Sequence, residues 1–307
     1  MKILLATDGS DTARAAVDYL LAFPLPTEAS FMVATVIREV LAADVIDELD
    51  DAQRETYDSA RSDAERSARA LLDGEMQRIR AAGFDADSRI LTGHPAEEIV
   101  DLATELACDI VVVGSHGYGG GKRFLLGSTS DRVFEYAPCS VLIVKHPAAT
   151  AGVDERALPE AGGKWRLLLA FDDSAPARSA VELCAGLPLA GRAVVRILTI
   201  MPMIHMFRQD IRQQCDWIWQ RKMQALRLAL DWAAAQFDNE TVEVATELVE
   251  GDKASQEIID RATAGGDDLV VVGHKGRKAL ERFFLGSVTA RIAHHAPCSV
   301  LSVRTRD

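Results

Sequence analysis

Aromatic residues are scarce in this chain, 6% of 307 residues, and cations are outnumbered, with 34 Lys and Arg against 46 Asp and Glu. The formal net charge of -12 makes the phosphate backbone of a nucleic acid an unfavourable general partner. Cysteine is sparse too. Five are present, an odd number with no metal-type spacing, which argues for reduced thiols rather than a disulfide framework. No apolar run approaches the roughly 18 residues that a membrane span needs, and the N-terminus lacks the order of a secretory signal. A cytoplasmic protein without a membrane partner is expected. The two common phosphate loops are also missing: nothing reads G-x-x-x-x-G-K-S/T, and no G-x-G-x-x-G follows a strand pattern.

What the chain does contain is a repeat. An apolar run over 110–113 empties into Gly114-Ser115-His116-Gly117, nine further residues, then Gly127-Ser128. The plan recurs at 269–272 with Gly273-His274-Lys275-Gly276, nine residues, and Gly286-Ser287, and both copies close with Ala-Pro-Cys-Ser-Val-Leu. Aligned without gaps, residues 110–145 and 269–304 agree at 18 of 36 positions. At 48% hydrophobic and 26% charged, the chain is long enough for two domains of about 150 residues, and the repeat gives the same count.

Read in order, each half alternates strands with helices. In the first, strands are expected over 2–7, 31–37, 88–91, 110–113 and 140–144. Helices are expected after Asp8-Gly9-Ser10, from the acidic stretch 44–51 to about residue 82, from Pro95, and over 128–136. The acidic stretch reads as a solvated helix entry. Residues 147–163, with Pro147, Gly152, Pro159, Gly162 and Gly163 and no periodicity, form a linker. The pattern restarts at 164, with strands over 166–171 and 193–201 and a long helix over 211–237. That helix carries Trp217, Trp219, Met223, Leu226, Leu230 and Trp232, assigned to the core or to an interface between domains. Such alternation predicts an α/β fold, a doubly wound parallel sheet in each of the domains 1–146 and 164–307. The segment 201–207 has no counterpart in the first half, and its role stays open between lid, partner surface and buried contact.

A buried strand that runs into glycines lets backbone N–H groups approach a ligand, because no Cβ intervenes. A helix beginning at Ser128 or Ser287 offers free N–H groups and a positive dipole end to an anion. Lys122 and Arg123, and in the second copy Lys275, Arg277 and Lys278, add local positive charge that favours a phosphate-bearing ligand. Helix capping is the alternative role for Ser128, Ser287, Asp8 and Asp172, and the two roles are compatible. His116 and His274 are not at equivalent positions, since His274 aligns with Ser115. No nucleophile–base or paired-carboxylate arrangement repeats, so no catalytic apparatus is expected.

Gly-x-x-Gly, nine residues, Gly-Ser resembles the ATP-binding motif of the universal stress protein (UspA) family, and its double occurrence resembles a tandem member. The resemblance implies two Rossmann-like domains, akin to the adenine nucleotide alpha hydrolases, each with a five-stranded parallel sheet. It implies that Asp8 and Asp172 meet ribose hydroxyls across a crevice from Gly114 and Gly273, and that the backbone near Val36 and Ile200 meets adenine. Phosphates would rest on Gly117, Gly127, Ser128 and Thr129 in the first domain, and on Gly276, Gly286, Ser287 and Val288 in the second. ATP or ADP is the implied ligand, accompanied by Mg or Mn held mainly by phosphate oxygens and water. Two departures mark the second site. Asp173 stands where the first has Gly9, adding a carboxylate that could repel phosphate or help to hold a divalent cation, and Val288 replaces Thr129. The first site is therefore expected to be the better binder. Single-domain relatives pair through their last strands, which implies an intramolecular pseudo-dimer, with further homodimerisation open. Three functions follow: a nucleotide-dependent regulator of the stress response, a slow ATPase or nucleotidyl-transfer enzyme, and a scaffold with vestigial sites.

Overall fold

The computed structural model describes residues 1–39, 45–46, 48–116, 126–145, 158–159, 163–202, 209–238, 240–275 and 286–305, without the side chains of 209–216. Gly117, Gly276, Lys122, Arg123, Arg277, Lys278, residues 203–207 and most of the expected linker lie outside the described residues.

The chain separates into two compact units, the first built on Met1–Leu21, Pro26–Gly121 and Leu126–His146, the second on Pro147–Asp307. In the first, β1 (Lys2–Ala6), α1 (Asp11–Ala22), β2 (Ser30–Arg38), α2 (Asp51–Ala81), β3 (Asp85–Gly93), α3 (Pro95–Glu105), β4 (Ile110–Gly114), α4 (Ser128–Tyr136) and β5 (Ser140–Val144) follow one another. Their strands lie in the order β3-β2-β1-β4-β5, with every pairing parallel. The second unit runs β6 (Trp165–Ala170), α5 (Ala175–Ala185), β7 (Ala193–Pro202), α6 (Gln209–Ala234), β8 (Glu243–Gly251), α7 (Ala254–Gly265), β9 (Leu269–Gly273), α8 (Ser287–His295) and β10 (Ser299–Val303). It repeats the order as β8-β7-β6-β9-β10, again all parallel. The α/β expectation of two five-stranded doubly wound sheets is met.

The apolar runs are strands because both of their faces are covered: every residue of β4, β5 and β10 is buried, as parallel sheets between helix layers require. α1 turns Ala15, Ala16, Tyr19 and Leu20 inward, the face read from its periodicity. An aspartate before each central strand fixes its register. Lys2 N–H donates to Asp109 Oδ2 at 2.7 Å and Asp109 N–H to the Lys2 carbonyl at 2.9 Å; Arg166 and Asp268 repeat the exchange at 2.8 and 2.9 Å.

α2 begins one residue after Asp50, whose carboxylate accepts from Gln53 N–H while the Gln53 side chain accepts from Asp50 N–H, a reciprocal capping box. Most of its first four turns are exposed, so this end is held by its cap and by pairs such as Arg61 with Glu65 at 3.2 Å. The assignment of the aromatic helix is corrected in one respect. Leu226 and Leu230 of α6 are buried, but Trp217 is 63% exposed and is not core. The units also differ inside. Where the first has Met32 and Cys108, the second has Arg196, which donates from Nη2 to Asp267 and, at 3.1 Å, to the Arg261 carbonyl. Burial pushes the Asp267 carboxyl up from its ordinary value, against the opposing pull of Arg196 and Arg166.

Candidate functional site

The order β2-β1-β4 places a topological switch between β1 and β4, and β6 with β9 repeats it. In open α/β sheets the crevice beyond the strand ends at that point is where ligands bind. Sheet register brings the expected residues to this edge. Ala6 pairs with Ala34 and Leu5 with Val112, so Asp8 follows β1 level with Val36, while Gly114 ends β4 beside it. In the second unit Ala170 pairs with Leu198 and Val272, which sets Asp172 level with Ile200 and beside Gly273.

Asp8 is exposed, and its Oδ1 accepts Ser10 N–H at 3.0 Å. Ser10, not Asp8, caps α1, taking Ala13 N–H on its hydroxyl at 3.3 Å and Arg14 N–H on its carbonyl at 2.9 Å. The second unit repeats this one level of structure at a time. Asp172 Oδ1 accepts from Ser174 N–H at 3.1 Å and from the Ser174 hydroxyl at 2.5 Å, and Ser174 caps α5 through Ala177 N–H. The capping role offered for the two aspartates is therefore indirect, since each orients the serine that caps. Their carboxylates stay at the crevice edge.

The glycines that end β4 and β9 are required by packing. A Cβ on Gly114 would lie 2.9 Å from the carbonyl carbon and oxygen of Thr12, and one on Gly273 would lie 2.9 Å from Ala177 N and Pro176. Bare backbone thus meets the first turn of α1 and of α5 respectively. Beyond them, both ends of each glycine loop are tied. Gly127 N–H donates to the Ser115 carbonyl at 2.8 Å and the Ser130 hydroxyl to the Gly114 carbonyl at 2.7 Å, while the Thr12 hydroxyl donates to the His116 carbonyl. In the second unit Gly286 N–H reaches the His274 carbonyl at 3.1 Å and the Thr289 hydroxyl reaches the Gly273 carbonyl at 2.8 Å. Ser130 and Thr289 were not singled out from the sequence, although a hydroxyl at the same place in both repeats was the available signal.

α4 and α8 start without a side-chain cap, because Gly127 and Gly286 occupy the cap positions. Ser128 and Ser287 are the first helical residues, which corrects their reading as caps. The early N–H groups of each helix have no intrahelical acceptor and face the carboxyl edge of the sheet, a geometry suited to an anion. Ser128, Ser287 and Val288 are exposed and Thr129 is half-buried. Thr129 brings a hydroxyl that Val288 cannot supply.

One further expectation changes with the structure. Asp173 adopts φ 62°, matching Gly9 at φ 79°, and its Oδ1 accepts from Arg178 Nε at 2.8 Å and from Nη2 at 2.5 Å. Its carboxylate faces a guanidinium, so it is not the bare negative charge that the sequence suggested. His274 is 3% exposed, with Nδ1 3.2 Å from the Ser302 hydroxyl. Burial, then the charges of Arg304 and Lys275, pushes its pKa down to about 3, so the ring is neutral. Among the thiols, Cys184 is fully buried and pushed up to about 12, whereas Cys139 is half-buried and Cys298 is buried. No helix among the described residues is long and apolar enough to cross a membrane.

Each unit is thus a Rossmann-like α/β domain with an anion-ready helix start opposite a carboxylate, and the chain is a tandem of two. It belongs to the universal stress protein family, whose profile matches residues 1–145 and again 165–304. Over 145 residues it is 30% identical to the universal stress protein YxiE of Bacillus subtilis, covering 47% of this chain and 98% of that one. The universal stress protein MJ0577 of Methanocaldococcus jannaschii is 30% identical over 152 residues, covering 47% of this chain and 94% of the relative. The crystal structure of a universal stress protein from Archaeoglobus fulgidus superposes with a TM-score of 0.69 at 22% identity, over 99% of this chain and 98% of that one, and shares the fold.

Proposed function

We propose that the chain is an ATP- or ADP-binding regulator of the stress response, with one nucleotide site per unit and a nucleotide state that alters its shape or partners. The observation that carries this reading is the pair of helix starts, α4 and α8, each left open by a glycine cap and each across the crevice from an aspartate that orients the neighbouring cap serine. Asp8 and Asp172 accept ribose hydroxyls, the backbone near Val36 and Ile200 meets adenine, and the α4 and α8 N–H groups, with the Ser128 and Ser287 hydroxyls, take phosphate oxygens. Gly117 and Gly276 belong to the same phosphate sets. No group of three His, Cys, Asp or Glu gathers among the described residues. Mg or Mn would arrive with the nucleotide, held mainly by its phosphate oxygens and water.

The test is to denature freshly purified protein, filter it and quantify released nucleotide by mass spectrometry. About two ATP or ADP per chain supports both sites, one per site. No nucleotide, together with no thermal shift in millimolar Mg-ATP, removes this reading and leaves a scaffold. Turnover near the roughly 10 per second typical of enzymes would move the assignment to an ATPase.

A further inference from the structure

In the second unit the turn that carries Asp172 is held by a device that has no equivalent among the described residues of the first. Asp173 sits at φ 62°, a left-handed conformation that costs a residue with a Cβ. Its carboxylate is 23% exposed and accepts two bonds from Arg178, at 2.8 and 2.5 Å. The guanidinium carbon lies 4.2 Å from the centroid of the Trp232 ring, in the cation–π range. Trp232, in the last turn of α6, stacks in turn on Phe171, the residue before Asp172, at 6.2 Å and 23°. A carboxylate, a guanidinium and two aromatic rings therefore form one chain from the end of β6 to α5 and α6.

The first unit shows that the fold does not require this. Gly9 takes the left-handed position without a side chain. Arg14, at the place of Arg178, pairs with its helix neighbour Asp11 at 3.6 Å, with both side chains mostly exposed. All four tryptophans lie at or beyond Trp165, so no indole is available there.

The geometry points to Arg178 as the residue that sets the charge selectivity of the second site: by facing Asp173, it lets a polyphosphate occupy a crevice edge that otherwise carries two adjacent carboxylates, Asp172 and Asp173. Trp232 holds the guanidinium in place and Phe171 backs Trp232, so Arg178 acts through Asp173 rather than by touching the ligand. This inference rests on the nucleotide reading above and deepens it for one of the two sites.

The experiment compares adenosine, ADP and ATP binding to the full chain by calorimetry, with the two sites fitted separately. For Arg178→Ala, loss of the guanidinium beside Asp173 weakens ATP at one site about tenfold, ADP less, and adenosine hardly at all. Adding Asp173→Asn to Arg178→Ala returns ATP affinity to near the wild-type value. Asp173→Gly alone, which recreates the turn of the first unit and leaves Arg178 its charge, binds ATP at least as tightly as wild type, and this variant removes backbone strain rather than adding it. Equal losses for adenosine and ATP, no rescue in the double variant, or weaker ATP binding by Asp173→Gly overturns the proposal by reducing Arg178 to a packing role. Two wild-type sites with an Arg178→Ala variant indistinguishable from wild type overturns it while leaving the nucleotide reading intact. A wild-type chain that binds none of the three ligands overturns both.

Discussion

His274 makes the stability of the second unit depend on pH in a way that can be worked from its surroundings. The ring is 3% exposed, and burial with Arg304 and Lys275 holds its pKa near 3 in the folded chain, against about 6.5 when unfolded. Between those values the unfolded chain binds a proton that the folded chain does not. The contribution of His274 is therefore fully present above about pH 6.5 and is lost as the pH falls towards 3. Each pH unit in that window removes about 1.4 kcal/mol, so moving from pH 7 to pH 5 costs about 2 kcal/mol. Because pH 5 lies well above the folded value, this loss is set almost entirely by the unfolded chain. For a domain of this size the melting temperature drops by roughly 4–8 °C.

The assay is favourable because all four tryptophans belong to the second unit, so indole emission follows its unfolding selectively. Urea denaturation at pH 7 and pH 5 is compared for wild type and for His274→Asn, whose amide keeps a partner for the Ser302 hydroxyl, 3.2 Å from the ring nitrogen it replaces. The variant loses some stability at both pH values through the altered packing. Its difference between the two pH values is smaller than that of wild type by about 2 kcal/mol. All other ionisable groups are the same in both proteins, so their contributions cancel in the comparison. Equal pH dependence in the two proteins would refute the reasoning, since it would mean that His274 accepts its proton without unfolding.

Two further perturbations test the packing beneath the sites. Gly114→Ala places a methyl 2.9 Å from Thr12 backbone atoms that cannot yield as a flexible side chain would; a loss of roughly 1–3 kcal/mol is expected in the first unit, read by far-UV circular dichroism. Asp267→Cys leaves Arg196, which is 25% exposed, without its carboxylate, and costs about 3 kcal/mol, while adding Arg196→Met, the pairing found at Met32 and Cys108, recovers most of it in the tryptophan-monitored transition.

Sequence patterning carried the fold because parallel strands covered on both faces are continuous apolar runs, so β4, β5 and β9 could be placed within a residue. β3 was expected over 88–91 but extends over Asp85–Gly93. Its outer position leaves Asp85, Asp87 and Ser88 exposed, and polar residues hide a strand whose hydrogen bonds all come from one neighbour. The glycine spacing located the helix starts, yet it could not show that Gly127 and Gly286 are the caps. Ser and Gly are both good cap residues, and only backbone geometry separates them. The Asp173–Arg178–Trp232 contact was invisible for a different reason: Trp232 is distant in sequence, and helix periodicity assigns a face without saying which neighbour covers it.

The repeat adds an argument that neither unit supplies alone. What both copies keep is geometry at the carboxyl edge: an aspartate orienting the cap serine, a glycine where the strand end meets the first turn of α1 or α5, a hydroxyl tying the glycine loop, and a glycine cap that leaves N–H groups open. What differs is charge. Met32 and Cys108 become Arg196 and Asp267, Ser115 becomes His274, and Gly9 becomes Asp173 opposed by Arg178. None of these exchanges changes strand order or the helix starts, so the fold tolerates either version and does not demand the charged one. Each places an ionisable group where proton or phosphate binding must be set against a buried or paired charge. It follows that the units, alike in backbone, should diverge most in how pH and ligand charge act on them, with the second unit the responsive member.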